Sequence, residues 1–145
     1  MKNTILLIFS LLILASCTKK NEECESIQPP EPAVNIRILN EAGKSLIGEN
    51  NIYKPSEITL TSGDETIFLL FEESDEETYI KLYYPDIVSG QDYQLKLNEE
   101  ETDVLNMKLI VNEGFCYDVL SVEAIFINGK KILYDTDLFS YIILK

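Results

Sequence analysis

From residue 33 onward, apolar and polar side chains alternate with a period of two, which is the pattern of strands buried on one face. Val34-Asn35-Ile36-Arg37-Ile38 alternates in this way, and Ile58-Thr59-Leu60-Thr61 repeats it. Ser62-Gly63-Asp64 predicts a turn into Thr66-Ile67-Phe68-Leu69-Leu70-Phe71. This run is apolar on both sides and reads as a central strand covered on each face. Thr78 to Tyr84 puts Ile80, Leu82 and Tyr84 on one face and Tyr79, Lys81 and Tyr83 on the other. Gln91 to Leu97 and Leu105 to Val111 alternate again, and Cys116 to Ile127 is a longer β-rich stretch. Asn128-Gly129 then separates it from Lys130-Lys131-Ile132-Leu133-Tyr134. An Asn-Gly pair between β-rich runs predicts a type I′ hairpin, because both central residues of that turn need positive φ. Leu138 to Leu144 reads as a last strand, and no long window carries a helical stripe. The pattern predicts an all-β fold for residues 33–145, a two-sheet Greek-key sandwich of about eight or nine short strands.

Ahead of that domain the pattern changes completely. Lys2 precedes an apolar run, Ile5 to Leu14, interrupted only by Ser10, and the small residues Ala15 and Ser16 lead to Cys17. Such a run is too short to span a bilayer core of about 30 Å, and its order is that of an export signal over residues 1–16. Leu14-Ala15-Ser16-Cys17 resembles the lipobox of bacterial lipoproteins. The resemblance implies a diacylglyceryl group on the Cys17 sulfur, cleavage before Cys17, and an outer-membrane location held by acyl chains on the periplasmic or cell-surface side. Thr18 to Glu23 is similar to the lysine-then-acid tag of surface-exported lipoproteins of Bacteroidota-type bacteria, and it reads equally as a solvated tether. Gln28-Pro29-Pro30-Glu31-Pro32 favours an extended spacer, so residues 17–32 read as a semi-rigid stalk. The segment Val34 to Gly48 resembles the first hairpin of transthyretin-like and immunoglobulin-like secreted modules, although the chain has no tryptophan.

Setting Cys17 aside leaves Cys24 and Cys116, which an exported protein can join in a disulfide closing a loop of about 90 residues. The chain-entropy account gives such a bridge on the order of 4–5 kcal/mol. The alternative is two unrelated thiols.

Charge and chemistry narrow the function further. The chain carries 12 Lys+Arg against 25 Asp+Glu, a net charge of −13, and no histidine. That balance argues against nucleic acid as a partner and removes the commonest general base and metal ligand. Serine and cysteine nucleophiles lack their usual partner, so the expectation is a non-enzyme without cofactor. Gly43-Lys44-Ser45 lacks the glycine and the strand–loop–helix setting that a phosphate-binding loop needs. The acidic run Glu72-Glu73-Ser74-Asp75-Glu76-Glu77 offers hard oxygen ligands of the kind calcium selects, which admits a calcium-dependent adhesin. Without a central glycine or alternate-position acid spacing it reads instead as a solvated hairpin tip, as does Asn98 to Asp103. Tyr79 and Tyr83 flanking Lys81 offer ring platforms for a glycan, or else pack across strands. Two classes remain: a lipid-anchored envelope module acting by contact with another envelope protein, and a glycan- or other ligand-binding module at the cell surface.

Wild-type protein is expected to incorporate a clickable fatty acid in vivo, and Cys17→Ser to incorporate none; equal labelling of the two would overturn the lipid anchor.

Overall fold

The computed structural model describes Cys24, residues 27–74 and residues 77–145. The expectations for the signal segment 1–16, for Cys17 and for most of the stalk lie outside the described residues. The chain divides into two compact units, residues 1–30 with 113–119, and residues 31–112 with 120–145.

The larger unit is built from strands alone, apart from one 3₁₀ turn at Pro55–Glu57. Its strands are β1 (Ala33–Leu39), β2 (Thr59–Ser62), β3 (Glu65–Ile67), β4 (Leu69–Ser74), β5 (Glu77–Tyr83) and β6 (Asp92–Lys96). They continue with β7 (Thr102–Asn112), β8 (Val119–Ile127, whose first residue falls in the smaller unit), β9 (Lys130–Lys131), β10 (Leu133–Asp135) and β11 (Ser140–Leu144). Two sheets result, a five-stranded one ordered β10-β11-β1-β5-β4 and a six-stranded one ordered β3-β2-β6-β7-β8-β9. The all-β two-sheet architecture is the one the period-two pattern predicts. The first and last strands pair in parallel, Ile36 beside Tyr141 and Ile38 beside Ile143, while β1 pairs antiparallel with β5 on its other side.

Eleven strands arise where nine apolar runs stand in the sequence, because two runs are divided between the sheets. Glu65–Ile67 pairs with β2, with Leu60 opposite Ile67; after Phe68 the same run joins the other sheet as β4, with Leu69 opposite Leu82. Likewise β9 pairs with β8, the Ile132 amide still donates to the Ile125 carbonyl, and Leu133 then pairs with Ile142 in the other sheet. The run at 66–71 is therefore no central strand. Its two halves are edges of different sheets, and Ile67 of β3 and Leu69 and Phe71 of β4 pack against the core, whereas Leu70 stands opposite the outward Lys81. Phe68, at the crossing, is 72% exposed.

The core lies between the sheets. Ile36, Ile38, Ile80, Leu82 and Ile143 face it from the five-stranded sheet, and Leu60, Leu95, Leu105, Met107 and Ile125 from the other, all essentially removed from water. Burial of such side chains contributes about 1.5–3 kcal/mol each. The predicted Asn-Gly turn is present: Asn128 has φ 51° and Gly129 φ 76°, as a type I′ hairpin requires.

In the smaller unit Cys24 and Cys116 form a disulfide with a Cα–Cα distance of 5.4 Å, within the range that geometry allows. The Ile27 amide donates to the Cys24 carbonyl, and the Tyr117 hydroxyl donates to the Ile27 carbonyl.

Urea unfolding separates the two kinds of position in the 66–82 region. Leu82→Ala is expected to cost about 2–5 kcal/mol, whereas Phe68→Ser is expected to stay within about 0.5 kcal/mol of wild type; a large loss at Phe68 would restore the central-strand reading.

Candidate functional site

Strand pairing assembles the outer face of the five-stranded sheet from β4, β5 and β1. Because Ile80 and Leu82 point to the core, Tyr79, Lys81 and Tyr83 point away from it, as the alternation predicts. The structure surrounds them with charge. The Tyr79 hydroxyl donates to Glu72 at 2.8 Å, and the Arg37 guanidinium carbon lies 5.0 Å from the Tyr79 ring centroid. Lys81 pairs with Glu31 at 2.9 Å and with Glu72 at 3.3 Å, and lies 5.6 Å from the Tyr83 ring centroid. The Tyr83 hydroxyl donates to Glu31 at 2.6 Å. Arg37, nearly buried, pairs with Glu77 at 2.6 Å and donates to the Ser140 hydroxyl at 3.3 Å.

These contacts shift the groups they join. Hydrogen bonds from Tyr83 and Lys81 hold the Glu31 carboxyl below its ordinary range. The hydrogen bonds to Glu72 and Glu31 raise the hydroxyls of Tyr79 and Tyr83, since ionising either phenol would set two anions against each other. Lys81 is raised by the same carboxylates, Glu31 first, against a smaller opposing effect of desolvation. Tyr79, Lys81 and Tyr83 are thus brought together, but as members of an ion-pair network rather than as bare ring platforms.

The acidic run lies at the end of the β4–β5 hairpin, where the two strands pair out to Ser74 and Glu77. Glu72 and Glu73 belong to β4 and Glu77 to β5, with Ser74 opposite Glu77, so most of the run is strand. Glu72 and Glu77 are engaged by Lys81 and Arg37, Glu73 is exposed, and Asp75 and Glu76 lie outside the described residues. Among the described residues no three or more carboxylate or thiol groups gather as a metal site would require.

The second acidic run, Asn98 to Asp103, is also more than a solvated tip. Asn98 caps the turn by accepting from the amides of Glu100 and Glu101. Glu101 and Asp103 then converge on Lys145, whose ammonium lies 2.6 Å from Glu101 Oε1 and 2.7 Å from Asp103 Oδ2. Asp103 is 3% exposed, and its other oxygen also accepts from the Asn128 amide at 2.7 Å. The Tyr53 hydroxyl donates to Glu101 at 2.6 Å. Burial, and after it the Glu101 carboxylate, raises the Tyr53 hydroxyl, while the hydrogen bond from Lys145 and then that from Tyr53 lower Glu101.

A further feature escapes sequence reasoning. An open cavity of about 410 Å³ brings together Tyr84, Tyr134, Phe139 and Tyr141, with Asn35, Lys81 and Glu72 among the polar groups at its wall. Only Lys81 of the three residues on the tyrosine face lines it; Tyr79 and Tyr83 do not. Tyr134 and Tyr141 meet edge to face, with centroids 5.1 Å apart, and the Tyr84 hydroxyl donates to the Leu120 carbonyl at 3.0 Å. Phe139 is 69% exposed and has φ 47°, a left-handed conformation that is costly for a bulky residue. The preceding turn sets this conformation, because Asp135 Oδ1 accepts from the amides of both Asp137 and Leu138. Asp135-Thr136-Asp137 between aromatic residues is the one sequence signal that points to the cavity.

Comparison with protein families, with curated proteins and with solved structures yields no match.

The Lys145 cluster has a definite acid response. Because Glu101 is lowered on folding, its contribution is fully present above the ordinary carboxylate range and is lost as pH falls through its folded value. Wild type should therefore lose stability at acid pH in chemical denaturation, and Glu101→Gln should flatten that part of the profile. Lys145→Met, which leaves Asp103 buried without its cation, is expected to cost about 1–3 kcal/mol at neutral pH; superimposable profiles for wild type and both variants would show the cluster to be inert.

Proposed function

We propose that the protein is a lipid-anchored envelope lipoprotein of non-enzymatic type, acting through contacts made by its β-sandwich. The observation that carries this reading is the Cys24–Cys116 disulfide. The chain has three cysteines, and pairing two of them leaves Cys17, the residue at which the lipobox resemblance implies acylation. Disulfides persist in oxidising compartments outside the cytosol, which agrees with an export signal at residues 1–16. Two or more acyl chains at about 0.8 kcal/mol per buried methylene suffice to hold a domain at a bilayer. No helix among the described residues is long and apolar enough to cross a membrane.

The aromatic cavity favours a second reading, a ligand-binding module at the cell surface. Ring faces beside an amide, an ammonium and carboxylates suit the alternating apolar and hydroxyl faces of a sugar. The exposed, strained Phe139 at its wall is the kind of residue that persists where a ligand uses it.

Cell fractionation combined with a glycan array separates the readings. Wild type is expected in the outer-membrane fraction with one disulfide and no free Cys24 or Cys116 thiol. A blank array, with co-purification of a defined membrane partner, supports the first reading. Array binding lost in both Phe139→Ala and Tyr141→Ala supports the second. A soluble product that retains residues 1–16 defeats both.

A further inference from the structure

The two edges of the five-stranded sheet differ in a way that bears on association. At one edge β4 carries Glu72 and Glu73, so two copies meeting there would set like charges against each other, a common guard against edge pairing. The other edge is β10. It lies within Lys130-Lys131-Ile132-Leu133-Tyr134-Asp135-Thr136-Asp137, which is basic in its first half and acidic in its second. Among the described residues Lys130 and Lys131 pair with no carboxylate, although acids outnumber bases two to one over the chain. On the outer face of this edge, Leu133 stands opposite Ile142 with Leu144 two residues on, leaving Leu133 76% and Leu144 67% exposed. They line an apolar groove of about 570 Å³ to which Lys130 and Lys131 also contribute. Tyr134, on the other side of the strand, is also exposed.

We propose that β10 is a self-association edge, at which two copies of this chain pair antiparallel about a two-fold axis. An antiparallel two-fold reverses the order of the partner strand, so the basic half of one copy faces the acidic half of the other. Residues opposed across an antiparallel pair share a sheet face, and Asp135 is already engaged by the amides of Asp137 and Leu138, so the register put forward sets Tyr134 opposite its own copy. In that register Lys131 falls opposite Asp137, twice per dimer by symmetry. Lysines that block pairing with a neutral or basic strand become attractive toward this one. The axis also brings the Leu133–Ile142–Leu144 stripes of the two copies together on one face, covering apolar surface that each copy alone leaves in water. The shortness of β10 limits the ladder to a few hydrogen bonds, so charge and the apolar stripe supply the selectivity.

The charge pattern permits a test that other occupants would fail. The full chain, purified in detergent, is examined by analytical ultracentrifugation across a concentration series as wild type, as Lys130→Glu/Lys131→Glu, and as Asp137→Lys. Wild type is expected to form two-copy particles whose dissociation constant rises with ionic strength. The double lysine variant sets acid against acid, Asp137→Lys sets base against base, and each is expected to weaken pairing at least ten-fold. All the substituted side chains are exposed, so melting temperatures should match wild type. An equimolar mixture of the two variants faces base with acid at both contacts and is expected to restore two-copy particles. A wild type that stays single at every concentration, variants that pair like wild type, or a mixture that fails to recover each overturn the proposal. Should either variant lose its folded spectrum, Lys130→Gln/Lys131→Gln with a salt titration reads the same contact, and a salt-independent association of that variant equal to wild type overturns it.

Discussion

Two residues, Phe68 and Ile132, carry the chain from an edge of one sheet directly to an edge of the other. The rest of the larger unit depends on this constraint. With β3 tied to β4 and β9 tied to β10 by single residues, neither sheet can slide on its partner without breaking a ladder on both sides. Register in each sheet is thereby coupled to register in the other. A one-residue slip would turn Leu60, Leu82, Leu95 and Ile143 outward together, so the alternation that the sequence repeats across nine runs is held by topology as well as by burial.

The same coupling divides the outer face of the five-stranded sheet into two regions of opposite character. Around β4, β5 and the first half of β1, tyrosine hydroxyls and lysine or arginine cations neutralise Glu31, Glu72 and Glu77, so that side of the sheet is satisfied within its own chain. Around β10 and β11 the outward positions Leu133, Ile142 and Leu144 form an apolar stripe beside Asp135 and Ser140. An acidic protein can carry such a stripe and remain soluble because its charge is spread over the rest of the surface. Lys145 has a comparable role between elements: by joining Glu101 and Asp103 it ties the β6–β7 turn to the strand that runs beside β1.

Most of the fold was legible in the sequence because a half-buried strand leaves a local, period-two record. Ile36 and Ile38, Ile80 and Leu82, Leu95 and Leu97 all face inward as that record says, and Asn128-Gly129 turns where both residues can take positive φ. What misled was an apolar run read as one strand: at 66–71 only Ile67, Leu69 and Phe71 pack against the core, while Phe68 is spent on the crossing between sheets and Leu70 lies on the outer face. The tyrosine face was visible as a face, but its partners were not. Glu31 lies some fifty residues from Tyr83, and Arg37 forty from Glu77, and no local pattern records such pairings. The cavity was illegible for the same reason: Tyr84, just after β5, meets the paired Tyr134 and Tyr141 only because β1 joins β5 and the β10–β11 pair in one sheet.

The bridge between Cys24 and Cys116 has a mechanical consequence. Any pull applied to the segment ahead of Cys24 reaches the folded chain by two covalent routes, one along residues 25–32 into β1 and one through sulfur into the connection between β7 and β8. Tension is shared between the two sheets rather than delivered to the end of a single strand, where it would unzip the β1–β11 and β1–β5 ladders in turn. Cleaving that one bond would remove the second route, turning a load-sharing attachment into a peeling one.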